Sequence, residues 1–376
     1  MDLEGKRPQM VRQLTLPFEN RGEAPKGGRS EEEPPAVHSD ERSGASDLMG
    51  RVVSRPNLQA ALKRVRKNKG SPGIDGMTVE ELSGHLRENW PQLREQLLAG
   101  RYRPAMVKQQ LIPKSSGGMR KLGIPTVLDR FIQQALLQVL QPMFDPTFSQ
   151  HSHGFRPGRR AHDAVIEAQR YIQQGRKVVV DVDLEQFFDR VNHDVLMGRL
   201  AKRIGDVRVL GLIRGYLEAG ILANGCATER YEGTPQGGPL SPLLANVLLD
   251  AVDKELEKRG HSFVRYADDC NVYVRSRRAG ERVMRLLTRL YSKLRLRVNA
   301  SKSAVDLATR RKLLGYSFWV APGRVIKRRV SAKALGALKD RVRAITRRTG
   351  GRSIEQVVNE LRMYLTGWNQ YYRLPQ

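Results

Sequence analysis

Two adjacent aspartates, Asp268 and Asp269, stand between two short runs of strand-forming residues. Phe, Val and Tyr favour strands, and the polar Asp-Asp-Cys-Asn stretch favours a tight turn. Residues 263–274 are therefore predicted to form a β-hairpin with two carboxylates at its tip. Neighbouring anions are costly unless a cation or basic groups neutralise them, and Mg²⁺ binds through carboxylates together with substrate phosphates. The pair indicates either phosphoryl-transfer chemistry or ordinary turn chemistry, because Asp is also a common turn residue.

A second acidic segment follows a run of valines and extends from Val178 to Asp183. The β-branched run predicts a buried strand, and period-two alternation places Asp181 and Asp183 on the same face of it. A carboxylate at the end of a core strand is costly unless its charge is compensated. Asp183 could instead cap the following helix. Because the chain also carries the hairpin with Asp268 and Asp269, we favour a metal site that Asp183 shares with it.

The charge balance restricts the class of partner. The chain has 376 residues, with Lys+Arg 66 against Asp+Glu 39 and a net charge of +27. Such a charge destabilises the compact state through self-repulsion unless a polyanion is the partner. We expect nucleic acid, with an anionic membrane surface as the alternative. The sequence contains neither a long apolar run nor a signal-like N-terminus, which predicts a cytoplasmic protein without a membrane span.

Composition divides the chain into three predicted regions. Residues 1–50 are rich in Glu, Arg, Gly, Pro and Ser and are expected to form a disordered tail. Apolar residues recur at helical spacing from Asn57 onward, where we expect the folded part to begin. Beyond Lys302 basic residues greatly outnumber acidic ones, and this change marks a boundary near residue 320. Residues 51–320 and 321–376 are the two folded regions, and the second is predicted to be helical.

Three loops rich in glycine or basic residues are candidates for substrate contact. Gln236 precedes two glycines and a long apolar helix, so the backbone there can approach a substrate closely; a plain linker is the alternative. The loop at residues 68–76, which contains Lys69, either ends a helix or contacts nucleic acid. The segment from Lys114 to Arg120 is predicted to be a hairpin with basic residues on its arms.

In this order and spacing, the acidic and glycine-rich segments resemble the palm of reverse transcriptases. The sequence Tyr-Ala-Asp-Asp, which contains Asp268, has the Tyr-x-Asp-Asp form of that family. The segments around Asp183 and Gln236 resemble two further palm motifs. The upstream loop and hairpin are similar to the fingers of reverse transcriptases encoded by group II introns, and residues 364–372 resemble their maturase, or thumb, domain. The resemblance covers about residues 50–376.

The resemblance implies an α+β fold of the right-hand polymerase type. Fingers and a palm with an antiparallel sheet would occupy residues 51–320, and a helical thumb or maturase domain would occupy residues 321–376. Family members often continue into a DNA-binding segment and an endonuclease. Because the sequence stops at Gln376, we expect no endonuclease and an incomplete thumb domain.

The resemblance also implies catalytic roles. Asp183 and Asp268 would hold two Mg²⁺ ions, or Mn²⁺ in their place, with Asp269 as the weaker ligand. Lys114 and Arg120 would bind the triphosphate, since the guanidinium of Arg suits bidentate phosphate contact.

Further residues are expected to contact the nucleotide or the nucleic acid. Phe188 would lie under the sugar and select deoxynucleotides, because an aromatic ring there leaves no room for a 2′-hydroxyl. Gln236 would contact the nucleotide or template, and Lys302 would either donate a proton to pyrophosphate or be an exposed structural lysine. The primer grip would be formed by Leu314, Gly315 and Tyr316. Basic residues expected to bind nucleic-acid phosphates are Lys69, Arg156, Arg328, Arg329, Lys333, Arg347 and Arg348.

The function implied is an RNA-directed DNA polymerase that extends a primer on an RNA template by two-metal phosphoryl transfer and binds intron RNA. Its partners would be RNA, a DNA primer or target, and deoxynucleoside triphosphates. Two alternatives stay open. One is a non-catalytic maturase that acts as an RNA chaperone in intron splicing. The other is a domesticated reverse transcriptase that serves DNA repair or phage defence.

Overall fold

The computed structural model describes residues 47–113, 118–223, 225–348 and 351–374. The helices in these ranges are α1 (Leu48–Val52), α2 (Arg55–Asn68), α3 (Leu82–Leu98), α4 (Val127–Phe144), α5 (Ala161–Gln173), α6 (His193–Leu200), α7 (Val207–Glu218), α8 (Ser241–Lys258), α9 (Arg277–Lys293), α10 (Ala332–Ile345) and α11 (Ile354–Tyr371). The strands are β1 (Val107–Pro113), β2 (Met119–Ile124), β3 (Val178–Val182), β4 (Ile221–Ala223), β5 (Cys226–Thr228), β6 (Ser262–Tyr266), β7 (Asp269–Val274), β8 (Ala304–Leu307), β9 (Lys312–Leu313), β10 (Tyr316–Ala321) and β11 (Val325–Val330). The chain divides into two compact units between Arg329 and Val330.

The palm sheet consists of the strands β6, β7, β3 and β8, in that order and antiparallel throughout. The predicted valine strand is β3, and Val179, Val180 and Val182 are buried in it. Helix α9 packs against β3 through Gly280, where a Cβ would clash with the side chain of Val305. The β-branched run therefore has the composition expected of a strand covered by a closely packed helix.

The register of the palm sheet brings the two acidic segments together. In the pairing of β3 with β7, Val182 lies opposite Cys270. The same register continued by one residue places Asp183 opposite Asp269. The two segments, far apart in sequence, thus end at the same edge of the sheet.

The hairpin turn is shorter than the sequence pattern predicts. Tyr266 pairs with Asp269, so only Ala267 and Asp268 form the turn. Asp269 is already the first residue of β7, although both aspartates were expected at the tip. The difference arises because strand pairing continues through polar residues when a neighbouring strand supplies the hydrogen bonds.

A second sheet, in the order β2-β1-β4-β5, lies in the region assigned to the fingers. Strands β1 and β2 form the predicted antiparallel hairpin, with Ile112 opposite Arg120. Strand β1 also pairs in parallel with β4, where Val107 lies opposite Ile221. Lys114, expected on an arm of the hairpin, lies outside the described residues.

The folded part begins earlier than the sequence predicts. Leu48, Met49 and Val52 of α1 are buried, and the Met49 N–H donates a 2.9 Å hydrogen bond to Asp206. The tail expected at residues 1–50 is therefore too long at its C-terminal end. A short apolar segment packs into the core there, and the polar composition of the preceding residues conceals it. Residues 1–46 lie outside the described part of the chain.

The predicted domain boundary near residue 320 falls inside a small sheet. This sheet has the order β11-β10-β9, and β10 ends only at Ala321. The division between the compact units comes after Arg329, because β10 and β11 pair before the helical segment begins. The change in charge balance near residue 320 therefore does not mark the end of this sheet.

The described C-terminal unit is mainly helical, as the sequence predicts. Glu360 of α11 accepts a 2.8 Å hydrogen bond from Arg341 of α10 and another from Arg352. Ser353 and Gln356 form a capping box at the start of α11, which satisfies free backbone N–H groups there. Among the described helices, none combines the length and the apolar character needed to cross a bilayer.

Candidate active site

The turn between β6 and β7 holds Asp268 on an unusual backbone. Ala267 has a φ of 57°, in the left-handed region that residues with a Cβ seldom adopt. Such a conformation costs roughly 1–3 kcal/mol and persists only where the surrounding structure fixes it. Asp268 is half-buried, and Asp269 is exposed as a whole residue.

A buried ion pair fixes this turn. The side chains of Arg265 and Asp253 are 0% exposed, and the guanidinium donates to the Asp253 carboxylate at 2.6–2.9 Å. It also donates to Asn246 Oδ1 and to the backbone oxygen of Ala267, both at 2.8 Å. Because a buried charge must be paired and hydrogen-bonded, these contacts hold the turn against the core.

Gly154 packs directly against the same turn. A Cβ at Gly154 would clash with the backbone nitrogen of Ala267, so only glycine permits this approach. The Asn246 amide donates a 3.0 Å hydrogen bond to the Gly154 oxygen, and the His153 N–H donates a 2.8 Å bond to the Arg265 oxygen. The loop before α5, the ion pair and the turn therefore form one network.

Asp183 lies at the end of β3 beside a lysine. The Lys302 Nζ is 3.6 Å from Asp183 Oδ1, and the lysine side chain is 65% exposed. The Asp183 N–H donates to Ser303 Oγ at 3.0 Å, and its backbone oxygen accepts from the Asn299 N–H at 2.9 Å. Asp183 does not cap a helix, because the next helical turn begins only at Phe187.

Asp181 belongs to a separate ion pair. Arg311 donates two hydrogen bonds to one Asp181 carboxylate oxygen, at 2.9 and 2.6 Å. The Asn271 amide lies 3.4 Å from the other oxygen. Because both of its carboxylate oxygens have partners within the protein, Asp181 supports the sheet.

The carboxylates at this edge of the palm sheet repel one another. Loss of hydration, and then the charges of Asp268, Asp181 and Asp183, raise the pKa of Asp269 to about 7. Loss of hydration also raises the pKa of Asp268, and the nearby charge of Arg120 opposes this rise. Carboxylates whose negative charge is only partly offset are characteristic of functional sites and cation-binding sites.

The donor set at the turn suits a hard divalent cation. It contains carboxylate oxygens, which Mg²⁺ prefers. The pKa of Asp269 is raised by loss of hydration and then by the charges of neighbouring carboxylates, which such a cation would offset. As the side chains stand, the described residues contain no group of three Asp, Glu, His or Cys close enough together to hold one ion. The chemistry of the carboxylate oxygens fits the metal.

The Gln236 segment lies against strand β2 of the fingers. The Gln236 oxygen accepts a 2.9 Å hydrogen bond from the Gly123 N–H. Gly237 has a φ of 141°, and a Cβ there would lie 2.5 Å from the Gly123 oxygen. Only glycine fits this position. The contact joins Gln236 to the strand that carries Arg120, whose charge acts on Asp268.

Phe188 is half-buried beside the same segment. Its ring packs edge-to-face on Phe187, with 5.1 Å between the ring centroids. The Phe188 backbone oxygen accepts a 2.7 Å hydrogen bond from the Thr234 N–H. Gly233 has a φ of 90° and approaches the Asp189 backbone so closely that a Cβ would lie 2.9 Å from its oxygen. Phe188 is thereby fixed next to the loop that leads to Gln236.

Two arginines expected to bind RNA lie in the interior, which corrects that prediction. The Arg156 guanidinium pairs with Asp145 at 2.8 Å and donates to the backbone oxygens of Ser149 and Ser152. Arg328 is 8% exposed, and burial lowers its pKa. Both side chains are enclosed by protein, so neither is available to a phosphate.

The predicted primer grip is only partly accessible. Leu314 and Gly315 form the turn between β9 and β10, with φ values of 50° and 81°. Tyr316 is fully buried, and its ring centroid lies 6.5 Å from that of His162. Its side chain packs in the core, so only the turn of Leu314 and Gly315 could contact a primer directly.

The other basic residues expected to bind RNA are exposed: Lys69, Arg329, Lys333, Arg347 and Arg348.

Sequence reasoning missed the residues that hold the turn from the interior. Asp253 and Asn246 come from α8, the helix just before the hairpin, and Gly154 comes from a loop much earlier in the chain. The available signal was a charge inside an otherwise apolar pattern, at Asp253 in α8 and at Arg265 in β6. A charge at a core position requires a partner, but the pattern does not identify that partner.

Comparison with known families agrees with this arrangement. A family model described as reverse transcriptase (RNA-dependent DNA polymerase) matches residues 112–318. The chain belongs to the reverse transcriptase family. A model of the group II intron maturase-specific domain matches residues 335–376 of this reverse transcriptase. The predicted resemblance and fold class, an α+β right-hand polymerase followed by a helical maturase domain, are confirmed.

Individual relatives share parts of this reverse transcriptase. Protein YkfC of Escherichia coli (strain K12) is 35% identical over 216 residues, which cover 56% of this chain and 57% of YkfC. The group II intron-encoded protein LtrA of Lactococcus lactis subsp. cremoris is 37% identical over 206 residues, covering 54% of this chain and 34% of LtrA. A solved chain of the partial Cas6-RT-Cas1--Cas2 complex is 28% identical, with a TM-score of 0.42, and the match covers 65% of this chain and 42% of that one. The chain thus matches little more than half, or less, of the length of these proteins.

We expect Asp253→Asn to lower the free energy of unfolding by about 3–5 kcal/mol, because it leaves the buried Arg265 charge without its anion. Urea denaturation followed by circular dichroism measures the loss. Glu255→Gln is the matched control: it lies on the same helix and removes one carboxylate of a partly exposed pair with Arg259. The control should remain close to wild type, and an equal loss in both variants would contradict the role of the buried pair.

Proposed function

We propose that this chain is an RNA-directed DNA polymerase of the group II intron type, which extends a primer on an RNA template and binds intron RNA. The observation that carries the proposal is the convergence of Asp183, Asp268 and Asp269 at one edge of the palm sheet, within electrostatic reach of Arg120. Carboxylates for divalent cations beside a phosphate-binding arginine suit phosphoryl transfer.

Reverse transcriptases use divalent metal ions. In this chain Asp183 and Asp268 would hold two Mg²⁺ ions, with Mn²⁺ as a substitute, and Asp269 would be the weaker ligand. Bound there, the ions supply Lewis acidity that activates the primer 3′-hydroxyl and offsets charge on the departing pyrophosphate.

Basic side chains would hold the triphosphate against this edge. Arg120 on β2 carries a guanidinium suited to bidentate phosphate contact, and Lys114 would act from the adjoining part of the hairpin. Lys302, which lies 3.6 Å from Asp183, would donate a proton to the pyrophosphate. Its high exposure permits this movement, whereas a structural ion pair with Asp183 is the alternative role.

The sugar and template would be positioned by the loop next to β2. Phe188 is fixed by its contacts with Phe187 and Thr234, so its ring would present a rigid surface under the sugar and exclude a 2′-hydroxyl. Gln236, bonded through its backbone to Gly123, would contact the nucleotide or template.

RNA, a DNA primer or target, and deoxynucleoside triphosphates are the proposed partners. The net charge of +27 supports sequence-independent binding to phosphate backbones. Exposed basic residues proposed for these contacts are Lys69, Arg329, Lys333, Arg347 and Arg348, and the turn of Leu314 and Gly315 would contact the primer.

A second function is supported by the match of residues 335–376 to the group II intron maturase-specific domain. We propose that the same chain assists folding of intron RNA during splicing. RNA folding needs phosphate contacts but not the catalytic carboxylates, so the two functions are separable by substitution.

We expect Asp268→Asn to abolish Mg²⁺-dependent primer extension on a poly-ribonucleotide template. Loss of a metal ligand removes several kcal/mol of transition-state stabilisation, or about three orders of magnitude in rate. Asp306→Asn is the control, since it removes a half-buried carboxylate, paired with Arg310 at 3.9 Å, from β8 of the same sheet. Extension that persists in Asp268→Asn would refute the metal assignment, whereas intron splicing retained by the same variant would separate maturase activity from polymerisation.

Mg²⁺ should raise the melting temperature of the wild-type protein, because a ligand that binds only the folded state stabilises it. The double variant Asp183→Asn/Asp268→Asn should show no such rise. In EDTA the double variant should be at least as stable as wild type, since it removes two mutually repelling anions. Differential scanning calorimetry measures both effects, and an equal Mg²⁺ response in the two proteins would exclude this site.

A further inference from the structure

A strongly basic cleft lies at the end of the palm sheet opposite to the turn. Its volume is about 490 Å³, and it opens where β6 begins and β7 ends, beside α9. Its lining, which lies wholly in the described residues, contains no aspartate or glutamate. The basic residues that define this arginine cleft are Arg176, Arg259, His261, Arg275, Arg282 and Arg289.

The arginine cleft is separate from the candidate active site. Ser262, the first residue of β6, lines the cleft, whereas Asp268 follows the far end of that strand. A strand of this length spans roughly 15 Å at about 3.3 Å per residue. A phosphate bound in the cleft therefore cannot also contact the carboxylates at the turn.

Three of the cleft arginines have no acidic partner in the described part of the chain. Arg275, Arg282 and Arg289 are exposed, and none of them forms an ion pair or a hydrogen bond through its side chain there. Arg259, by contrast, pairs with Glu255 at 2.6 Å. Unpaired guanidinium groups around a concave surface concentrate positive potential and attract anions.

The spacing of these arginines suits a chain of phosphates. Arg282 and Arg289 are seven residues apart on α9, so they lie on one face and about 10.5 Å apart along the axis at about 1.5 Å per residue. Arg275 extends the row just before the helix begins. One small anion cannot contact the whole row, whereas a polynucleotide offers phosphates at regular intervals, and each guanidinium can bind one of them bidentately.

We propose that the arginine cleft binds the phosphate backbone of RNA. A bilayer is a poorer match, because membrane-surface helices insert exposed apolar side chains and the cleft presents none: Val274, Val283 and Leu286 in its lining are buried. The inference goes beyond the proposed polymerase activity. It adds an RNA contact that leaves the turn with Asp268 open, so that RNA stays attached to the palm while the primer end reacts.

The test uses the full chain and a fluorescently labelled RNA stem-loop with a single-stranded flank, titrated by anisotropy at several salt concentrations. Arg282→Gln/Arg289→Gln removes two guanidinium groups of the cleft. Arg87→Gln/Arg94→Gln is the matched control, since these arginines are also seven residues apart and exposed on a helix, α3.

The cleft variant should bind RNA roughly tenfold more weakly. The slope of its log affinity against log salt concentration should decrease in magnitude by about 1.4–1.8, for two lost phosphate contacts. The control should change neither.

An unchanged affinity and slope in the cleft variant, or an equal loss in the control, would overturn the proposal. Loss of binding to phosphatidylserine vesicles with RNA binding intact would also overturn it and would identify a membrane surface instead. Thermal unfolding checks that the variants are folded, and Arg275→Gln, between β7 and α9, provides a second cleft variant.

The result is independent of the proposed chemistry, because binding is measured without nucleotide or polymerisation. Asp268→Asn should retain wild-type affinity for the stem-loop. Failure of the polymerase proposal would therefore appear in primer extension, and failure of the cleft proposal would appear in the anisotropy titration.

Discussion

The ion pair between Arg265 and Asp253 connects the protein core to the turn that carries Asp268. A guanidinium that is removed from water must have its charge paired and its N–H groups bonded. Here the last of those bonds is made by the backbone oxygen of Ala267, whose positive φ would otherwise be unfavourable. The need to satisfy one buried charge therefore also determines the backbone of the candidate site. The rest of the candidate site is arranged around that fixed turn.

The two ends of the palm sheet differ in charge: one is acidic and the other is basic. The net charge of the whole chain does not reveal this difference. At one end lie the carboxylates of Asp183, Asp268 and Asp269, where loss of hydration and then the neighbouring negative charges raise the pKa of Asp269 to about 7. At the other end lies the arginine cleft, three of whose arginines have no acidic partner among the described residues. The net charge of +27 attracts a polyanionic partner, whereas the carboxylates at the turn favour a small hard cation. This separation would let the proposed RNA contacts form without neutralising the carboxylates proposed to hold the metal ions.

Close backbone contacts bring the fingers and palm motifs together. Gly237 permits the Gln236 segment to meet the backbone of β2 at Gly123, and Gly154 permits a second loop to meet the hairpin turn. A side chain at either glycine would separate the elements. The glycines in these motifs therefore act in packing between segments, in addition to any approach of the backbone to a substrate. The same contacts determine where Arg120 lies relative to the carboxylates.

The sequence by itself determined the valine strand, the β6–β7 hairpin, the two C-terminal helices and the order of the motifs, because these depend on periodicity and on neighbouring residues. It could not distinguish Arg156, which is buried in an ion pair, from Arg329, which is exposed. It also left the partner of Arg265 unidentified, and it placed the domain boundary too early. Only the tertiary structure decided these points. Burial and charge pairing depend on which distant segments meet, and that is set by packing of the whole core rather than by local pattern.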